Sequence, residues 1–244
     1  MKIGIVQLKP LKGNLEGNLD IHLKFIADSL QKQPDLLMFP ELSLTGYEVE
    51  LAKDLAILPN DSRLIPLQEI SDKHNIILCV GAPTMNDDNN LFISMIIFQP
   101  HKERFIYSKQ FLYPTETGIF TAGNTPCIIS YDEKNKIAPA ICYELSNNDH
   151  TDYARKMNAT IYMASVLNSI NGVAADLKRL SHIASTNQMT TFMSNYIGES
   201  GGYECAGQSS IWNSKGELMA QFDDKTEGIL IYDTQTEVID IIKG

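Results

Sequence analysis

The chain opens with a short apolar run, then a helical period, then a second apolar run. No other feature narrows its fold as much. Lys2–Leu8 (KIGIVQL) reads as a central β-strand. Asn18–Lys32 sets Leu19, Leu23, Ile26, Ala27 and Leu30 at helical spacing, with polar residues between them. Pro34–Asp35 breaks that helix, and Leu36–Phe39 (LLMF) follows as a buried strand that runs straight into Pro40–Glu41. Strand, helix, strand is the opening of an α/β unit. Leu64–Asn75 and Ile76–Gly81 repeat the helix–strand order. Leu91–Gln99, entered through the polar turn Asn86–Asn90, and Arg104–Lys109 then form a meander, so the sheet is expected to be mixed.

The second half keeps this rhythm. Phe111–Thr125 has no period but many aromatic residues, and reads as a long ordered loop of the kind that carries function. Cys127–Ser130 and Lys136–Ile141 are expected strands, Asp149–Met157 a short helix, Thr160–Ser165 a strand and Asp176–Met189 a helix. Thr191–Tyr196 reads as a strand and Gly198–Gly207 as a Gly-rich loop. Ser209–Trp212, Leu218–Phe222 and Gly228–Tyr232 read as short strands. No linker-like segment interrupts the chain, so 1–244 is expected to be one domain. The tail Glu237–Gly244 is too short to fold alone and is expected to dock on a partner subunit.

Bulk properties exclude some functions. Twenty basic against thirty acidic residues give a net charge of −10, which argues against a nucleic-acid or anionic-membrane surface. No apolar run approaches a membrane span. The first ten residues, MKIGIVQLKP, lack the apolar core and cleavage site of a signal peptide. Cys79, Cys127, Cys142 and Cys205 are widely spaced, with no CxxC pair and no Cys/His metal spacing. Free thiols and a cytoplasmic setting are the expectation.

Chemistry is concentrated where apolar runs end. Ile137–Ile141 stops at Cys142, followed by Tyr143, Glu144 and a polar turn. Open α/β folds place their chemistry at such strand ends, and a thiol there can attack a carbonyl or nitrile carbon if a neighbour takes its proton. Free cysteine is also among the most buried residue types, so Cys142 by itself reads first as core; Cys79 and Cys127 read as core on the same ground. Glu41 leaves the strand LLMF beside apolar residues, where a carboxylate has a raised pKa and suits proton transfer. Lys109 ends the strand RFIYSK, and an ammonium there can hold a developing oxyanion. Glu116 follows in the ordered loop. Taken singly, each of these three charges also reads as an ordinary surface residue.

The three segments FPELSLTGYE, YSKQFLYPTETGIFTAG and APAICYELSN, in this order and spacing, resemble the nitrilase superfamily of carbon–nitrogen hydrolases. The downstream stretch from DLKRLSHIASTNQ to GQSSIWNSKGE is similar to the later half of the same family, so the resemblance runs from about Met1 to Tyr232. It implies Glu41 as general base, Lys109 as oxyanion stabiliser, Cys142 as nucleophile and Glu116 as a second glutamate that positions substrate and lysine. A backbone N–H, best that of Tyr143, is expected to join Lys109 at the oxyanion. The resemblance further implies an α/β, four-layer α-β-β-α sandwich of two mixed sheets, a homodimer or higher homo-oligomer, and no metal or organic cofactor. The expected reaction is hydrolysis of a small amide by water through a thioester, with small ω-amido acids favoured. N-carbamoyl amines and nitriles use the same residues and stand as alternatives.

Two departures from the family pattern bear on substrate. Many members continue from the cysteine as CYDLRFPE, whereas this chain reads CYELSNNDH, and after TIYMAS it reads VLNSINGV without the common Trp-Pro. Both segments are expected to form pocket wall. Three competing readings remain in view. A Cys/His hydrolase needs a histidine paired with Cys142; His150 and His182 are the nearest in sequence, and both read as surface or capping residues. Cys205 lies in the Gly-rich loop with no evident activating neighbour. A non-catalytic binding protein on the same fold is expected to have lost one of the key residues, and none is lost.

Overall fold

The computed structural model describes all 244 residues. In chain order the elements are β1 (Lys2–Gln7), α1 (Leu15–Ser29), β2 (Leu36–Met38), α2 (Ile65–His74), β3 (Ile77–Met85), β4 (Leu91–Phe98) and β5 (Phe105–Ser108). There follow β6 (Ile129–Ser130), β7 (Lys136–Ile141), α3 (Asn148–Lys156), β8 (Ile161–Ser165), α4 (Val173–Asn187) and β9 (Thr190–Ser194). Then come β10 (Ile197–Ser200), β11 (Tyr203–Ala206), β12 (Ser210–Trp212), β13 (Leu218–Gln221), β14 (Gly228–Asp233) and β15 (Ile239–Lys243). Local chemistry sets several ends. Asn14 caps α1 by accepting the Gly17 N–H at 3.0 Å. Asn75, left-handed at φ 55°, closes α2.

Two mixed sheets result. One has the order β15-β14-β1-β2-β3-β4-β5, parallel across β1–β2 and β2–β3 and antiparallel elsewhere. The other runs β13-β12-β9-β8-β7-β6, parallel across β7–β8 and β8–β9. α1 and α2 pack on the first sheet, α4 packs on β9 and β12 of the second, and β1 meets β9 between them. This is the expected α-β-β-α arrangement. The strand β7 shows why its sequence is apolar on both sides. Ile137 and Ile141 join the large core between the sheets, whereas Ala138 and Ala140 join the smaller core that also holds Leu180 and Ile183 of α4. Small residues on the helix side let the helix layer sit close; branched ones fill the space between sheets. Buried hydroxyls stitch the two sheets together, with Ser194 Oγ donating to Val6 O at 2.6 Å and Ser165 Oγ to Phe39 O at 2.9 Å. No helix is long and apolar enough to cross a membrane.

Three expectations need correction. The Gly-rich segment expected as a loop is the hairpin β10–β11, and Gly201 and Gly202, both at positive φ, are its two-residue turn. The tail expected to dock on a partner subunit supplies the edge strand β15, paired along β14 with Ile229 opposite Ile242. Cys127 precedes its short strand instead of lying in it. The helix expected from Asp176 begins one turn earlier, at Val173.

Candidate active site

Glu41 is delivered by a turn that leaves β2. Leu42, at φ 55°, bends the chain back, and the turn rests on β3, where Phe39 N–H bonds Cys79 O at 2.9 Å and Leu44 N–H bonds Gly81 O at 2.9 Å. Only glycine fits at position 81. A Cβ there would meet Leu42 N at 2.3 Å and Pro40 O at 2.6 Å, so any side chain would push the Glu41 turn off the sheet. Ser43 and His22 brace the same turn. His22 Nε2 lies 2.9 Å from Ser43 Oγ, which accepts the Gly81 N–H at 3.1 Å. Tyr196 OH donates to the Glu41 carbonyl at 2.5 Å, tying the turn to the second sheet.

Lys109 and Glu116 come from the end of β5 and the ordered loop after it. Lys109 N–H bonds Ile93 O, and Gly123 N–H returns to Lys109 O, both at 2.8 Å. A Cβ on Gly123 would meet Ser108 O at 2.2 Å, so glycine lets the loop close on the lysine. Lys109 is fully buried, and its Nζ donates to Glu41 Oε1 at 2.8 Å and Glu116 Oε1 at 2.7 Å. Glu116 also accepts from Tyr47 OH at 2.5 Å and from Tyr113 N–H at 2.7 Å. Burial alone would discharge the lysine, but the carboxylates of Glu41 and Glu116 outweigh it and raise its pKa. An ammonium has three donors and two are spoken for.

Cys142 stands at the C-terminal end of β7, where the chain turns into a single 3-10 segment, Cys142–Ser146. Its φ of 44° is a conformation that non-glycine residues seldom adopt, and strain of that kind clusters at functional sites. Its thiol faces Leu167 O at 3.7 Å. Burial, and after it the Glu41 charge, push the Cys142 pKa well above the ordinary thiol value, so the resting group carries its proton. Glu41 is raised too, first by burial, against the Lys109 charge that lowers it. Its Oε2 is buried without a hydrogen-bond partner, and the Cys142 thiol is near enough to pull the Glu41 pKa down. An unpartnered carboxylate oxygen beside a protonated thiol can accept its proton.

All four residues converge on one cavity of about 250 Å³, with Lys109 immediately beneath its floor. Glu41, Glu116 and Cys142 line it directly, and Tyr47, Tyr113, Tyr143, Leu167, Asn168 and Tyr203 wall it. Tyr143 contributes a half-exposed ring, edge-on to Tyr113 at 5.3 Å, while its N–H lies in the first turn of the 3-10 segment, where donors have no intrahelical partner. Both departures in the sequence touch the cavity. Ser146 lines it, as do Leu167, Asn168, Ser169 and Gly172, whereas Asn147 and Asn148 serve as cap and start of α3.

The family profile of the carbon–nitrogen hydrolases matches residues 2–243. The chain belongs to the carbon–nitrogen hydrolase family. The hydrolase is similar to the protein N-terminal amidase of Schizosaccharomyces pombe, 30% identical over 166 residues that cover 61% of this chain and 57% of that protein. It also resembles the protein N-terminal amidase of Saccharomyces cerevisiae, 30% identical over 125 residues, 48% of this chain and 27% of that protein. Its match thus spans about half or less of these curated relatives' length. In fold it matches an amidase from Nesterenkonia sp. AN1, with a TM-score of 0.86 and 21% identity over 96% of this chain and 92% of that one. That structure is of a mutant of the amidase and shows the result of Michael addition of acrylamide at its active-site cysteine.

The remaining candidates lie elsewhere. Cys205 is buried in β11, where burial pushes its thiol up to about 12. His182 is exposed on α4. His150 corrects the surface reading: it is buried, with Nε2 3.1 Å from Tyr107 OH and Nδ1 2.9 Å from Tyr162 OH. Sequence reasoning also missed Tyr47 and Glu144. Tyr47 stands in the very motif that carries Glu41, so its proximity was a usable signal. Glu144 gave none beyond standing two residues from the cysteine.

Proposed function

We propose that this hydrolase cleaves the C–N bond of a small uncharged amide through a thioester on Cys142. The observation that carries the reading is the orphan Glu41 Oε2 beside Cys142, with Glu41 Oε1 locked to Lys109. Glu41 takes the thiol proton as Sγ attacks the amide carbon. The third N–H of Lys109 and the Tyr143 N–H hold the oxyanion. Glu41 then passes its proton to the departing nitrogen, the C–N bond breaks and ammonia leaves. Water follows, gives a proton to Glu41 and attacks the thioester; the carboxylic acid departs and Sγ recovers the proton. Glu116 and Tyr47 hold Lys109 in line throughout.

The cavity lining supports uncharged substrates over the ω-amido acids favoured by sequence. No arginine, lysine or histidine lines it, and its charged lining residues are Glu41, Glu116 and Asp176, the last already paired with Arg179. A substrate carboxylate would be desolvated there without a counter-charge. A second reading is an amide borne on a longer chain. The half-exposed rings of Tyr113, Tyr143 and Tyr203 ring an open mouth, and the relatives named above are protein N-terminal amidases.

The test is ammonia release from small neutral amides, ω-amido acids, peptides with N-terminal Asn or Gln, N-carbamoyl amines and nitriles, side by side. The reading expects neutral amides to lead. Faster turnover of nitriles or N-carbamoyl amines would overturn the choice of bond; faster turnover of ω-amido acids would overturn the choice of substrate charge.

A further inference from the structure

Two residues past the nucleophile, Glu144 is completely buried and its carboxylate joins two parts of the site that nothing else connects so directly. Oε2 accepts the Ile141 N–H at 2.7 Å, the last peptide before Cys142. Oε1 accepts the Gln110 N–H at 2.6 Å, the first peptide after Lys109. Tyr107 OH sits 2.8 Å and 2.9 Å from the two oxygens. The donors continue outward in one direction. Tyr162 OH gives to His150 Nδ1, His150 Nε2–H gives to Tyr107 O, and Tyr107 O–H gives to Glu144, an order that satisfies every group with a neutral imidazole. Burial keeps His150 neutral, with a pKa lowered to about 4.

We propose that Glu144 is a positioning residue, whose ionised carboxylate clamps the strained turn of Cys142 to the segment that carries Lys109 and so sets the distance between nucleophile and oxyanion donor. Both its oxygens are taken by Ile141, Gln110 and Tyr107, so it has nothing to offer a substrate in the cavity that Cys142, Tyr143 and Ser146 of its own turn line. The proposal rests on Cys142 being the nucleophile. Its chemistry follows from the donor count. Three donors converge on Glu144, so only the carboxylate, an acceptor on both oxygens, satisfies them all. A glutamine of the same shape would set an NH2 against one of the backbone N–H groups and spread the two segments.

The titratable groups facing Glu144 are Tyr107 on β5, Lys109 just beyond it, Cys127 ahead of β6, His150 on α3 and Tyr162 on β8. Burial pushes its carboxyl up to about 7, against the lowering effect of the Gln110 and Ile141 N–H bonds, Tyr107 and the Lys109 charge. The clamp is therefore closed above that pH and opens below it. Removing the Tyr107 hydroxyl takes away a bond that favours the charged form, so opening must move to higher pH.

The experiment measures kcat and KM against pH for wild type, Glu144→Gln, Tyr107→Phe and Cys142→Ala, with a thermal melt of each to register folding. Glu144→Gln is expected to lower kcat about 100-fold with KM unchanged, the scale of a nucleophile misplaced by an ångström. Tyr107→Phe is expected to keep the fold and shift the acid limb of kcat upward in pH. A Glu144→Gln protein with wild-type kcat overturns the proposal. So does an acid limb that Tyr107→Phe leaves in place, which decides the matter even if Glu144→Gln does not fold. An active Cys142→Ala protein would overturn the nucleophile reading instead, so the two failures are separable.

Discussion

Lys109 and Glu41 meet as an ion pair with both side chains wholly out of water, Nζ to Oε1 2.8 Å, 68 residues apart in the chain. A pair so buried contributes little net stability by itself, because desolvation offsets the attraction. It does fix one oxygen of Glu41 and leaves the other turned to proton transfer. Breaking it is a different matter. Lys109→Met should strand Glu41 and Glu116 as two uncompensated buried carboxylates and destabilise the protein by about 3–5 kcal/mol. Urea unfolding at neutral pH checks the stability. Amide turnover should fall by at least about 100-fold as one oxyanion donor is lost.

Tyr47→Phe removes the 2.5 Å bond to Glu116 while keeping the ring in the cavity wall. A hydrogen bond to a charged group is worth about 1.5–3 kcal/mol. The expected result is a protein that folds but binds and turns over substrate less well, because Glu116 and with it Lys109 are less firmly held. Steady-state kinetics beside a chemical melt separate the two effects. Unchanged kinetics would show that Tyr47 plays no part in holding Glu116.

Gly81→Ala should damage the site from a distance. The added methyl would meet the backbone of Leu42 and Pro40, which cannot yield as a flexible side chain can. The Glu41 turn must shift, and a shift of an ångström costs about 100-fold in rate. Turnover should drop far more than the melting temperature, and equal turnover in the variant would contradict the account of this turn.

His22 gives a pH signature of stability. Burial lowers its pKa from the ordinary 6.5 to about 4. Between those values the unfolded chain holds a proton that the folded one refuses, so its contribution is complete above pH 6.5 and is lost as pH falls toward 4, about 3 kcal/mol in all. Glu144 works in the opposite sense, since its raised pKa favours folding as pH falls below about 7. The clean measure is therefore the stability difference between wild type and His22→Gln at pH 7 and pH 5. That difference should shrink at the lower pH if the variant removes the penalty of refusing the proton.

Much of this site was legible in the sequence because each of its parts is local. FPEL, YSK and ICYE each end an apolar run, and a strand end is where a charge or thiol stands out. Strand order within the sheets, by contrast, rests on partners such as Ile5 and Leu230, paired across β1 and β14 from opposite ends of the chain, which no window contains. The hairpin around Gly201 and Gly202 was hidden by its own turn: two adjacent glycines read as a loop until the strands on either side are seen paired. The tail's strand was hidden because its only partner is β14 at the sheet edge. Glu144 and His150 read as ordinary polar residues because their meaning lies in Tyr107, Tyr162 and two backbone N–H groups contributed by other elements.

Four thiols give the account its most direct trial. Burial first raises every one: Cys127 and Cys205 to about 12, and Cys79 and Cys142 well above the ordinary thiol value. Only Cys142 lines the cavity with Glu41 and stands over Lys109. The decisive measurement is mass spectrometry of the protein quenched in acid during turnover of a neutral amide, with peptide mapping of the acyl group. The account predicts an acyl adduct on Cys142 alone, and neither adduct nor ammonia from Cys142→Ala. An adduct on another cysteine, or ammonia release by Cys142→Ala at the wild-type rate, would contradict it.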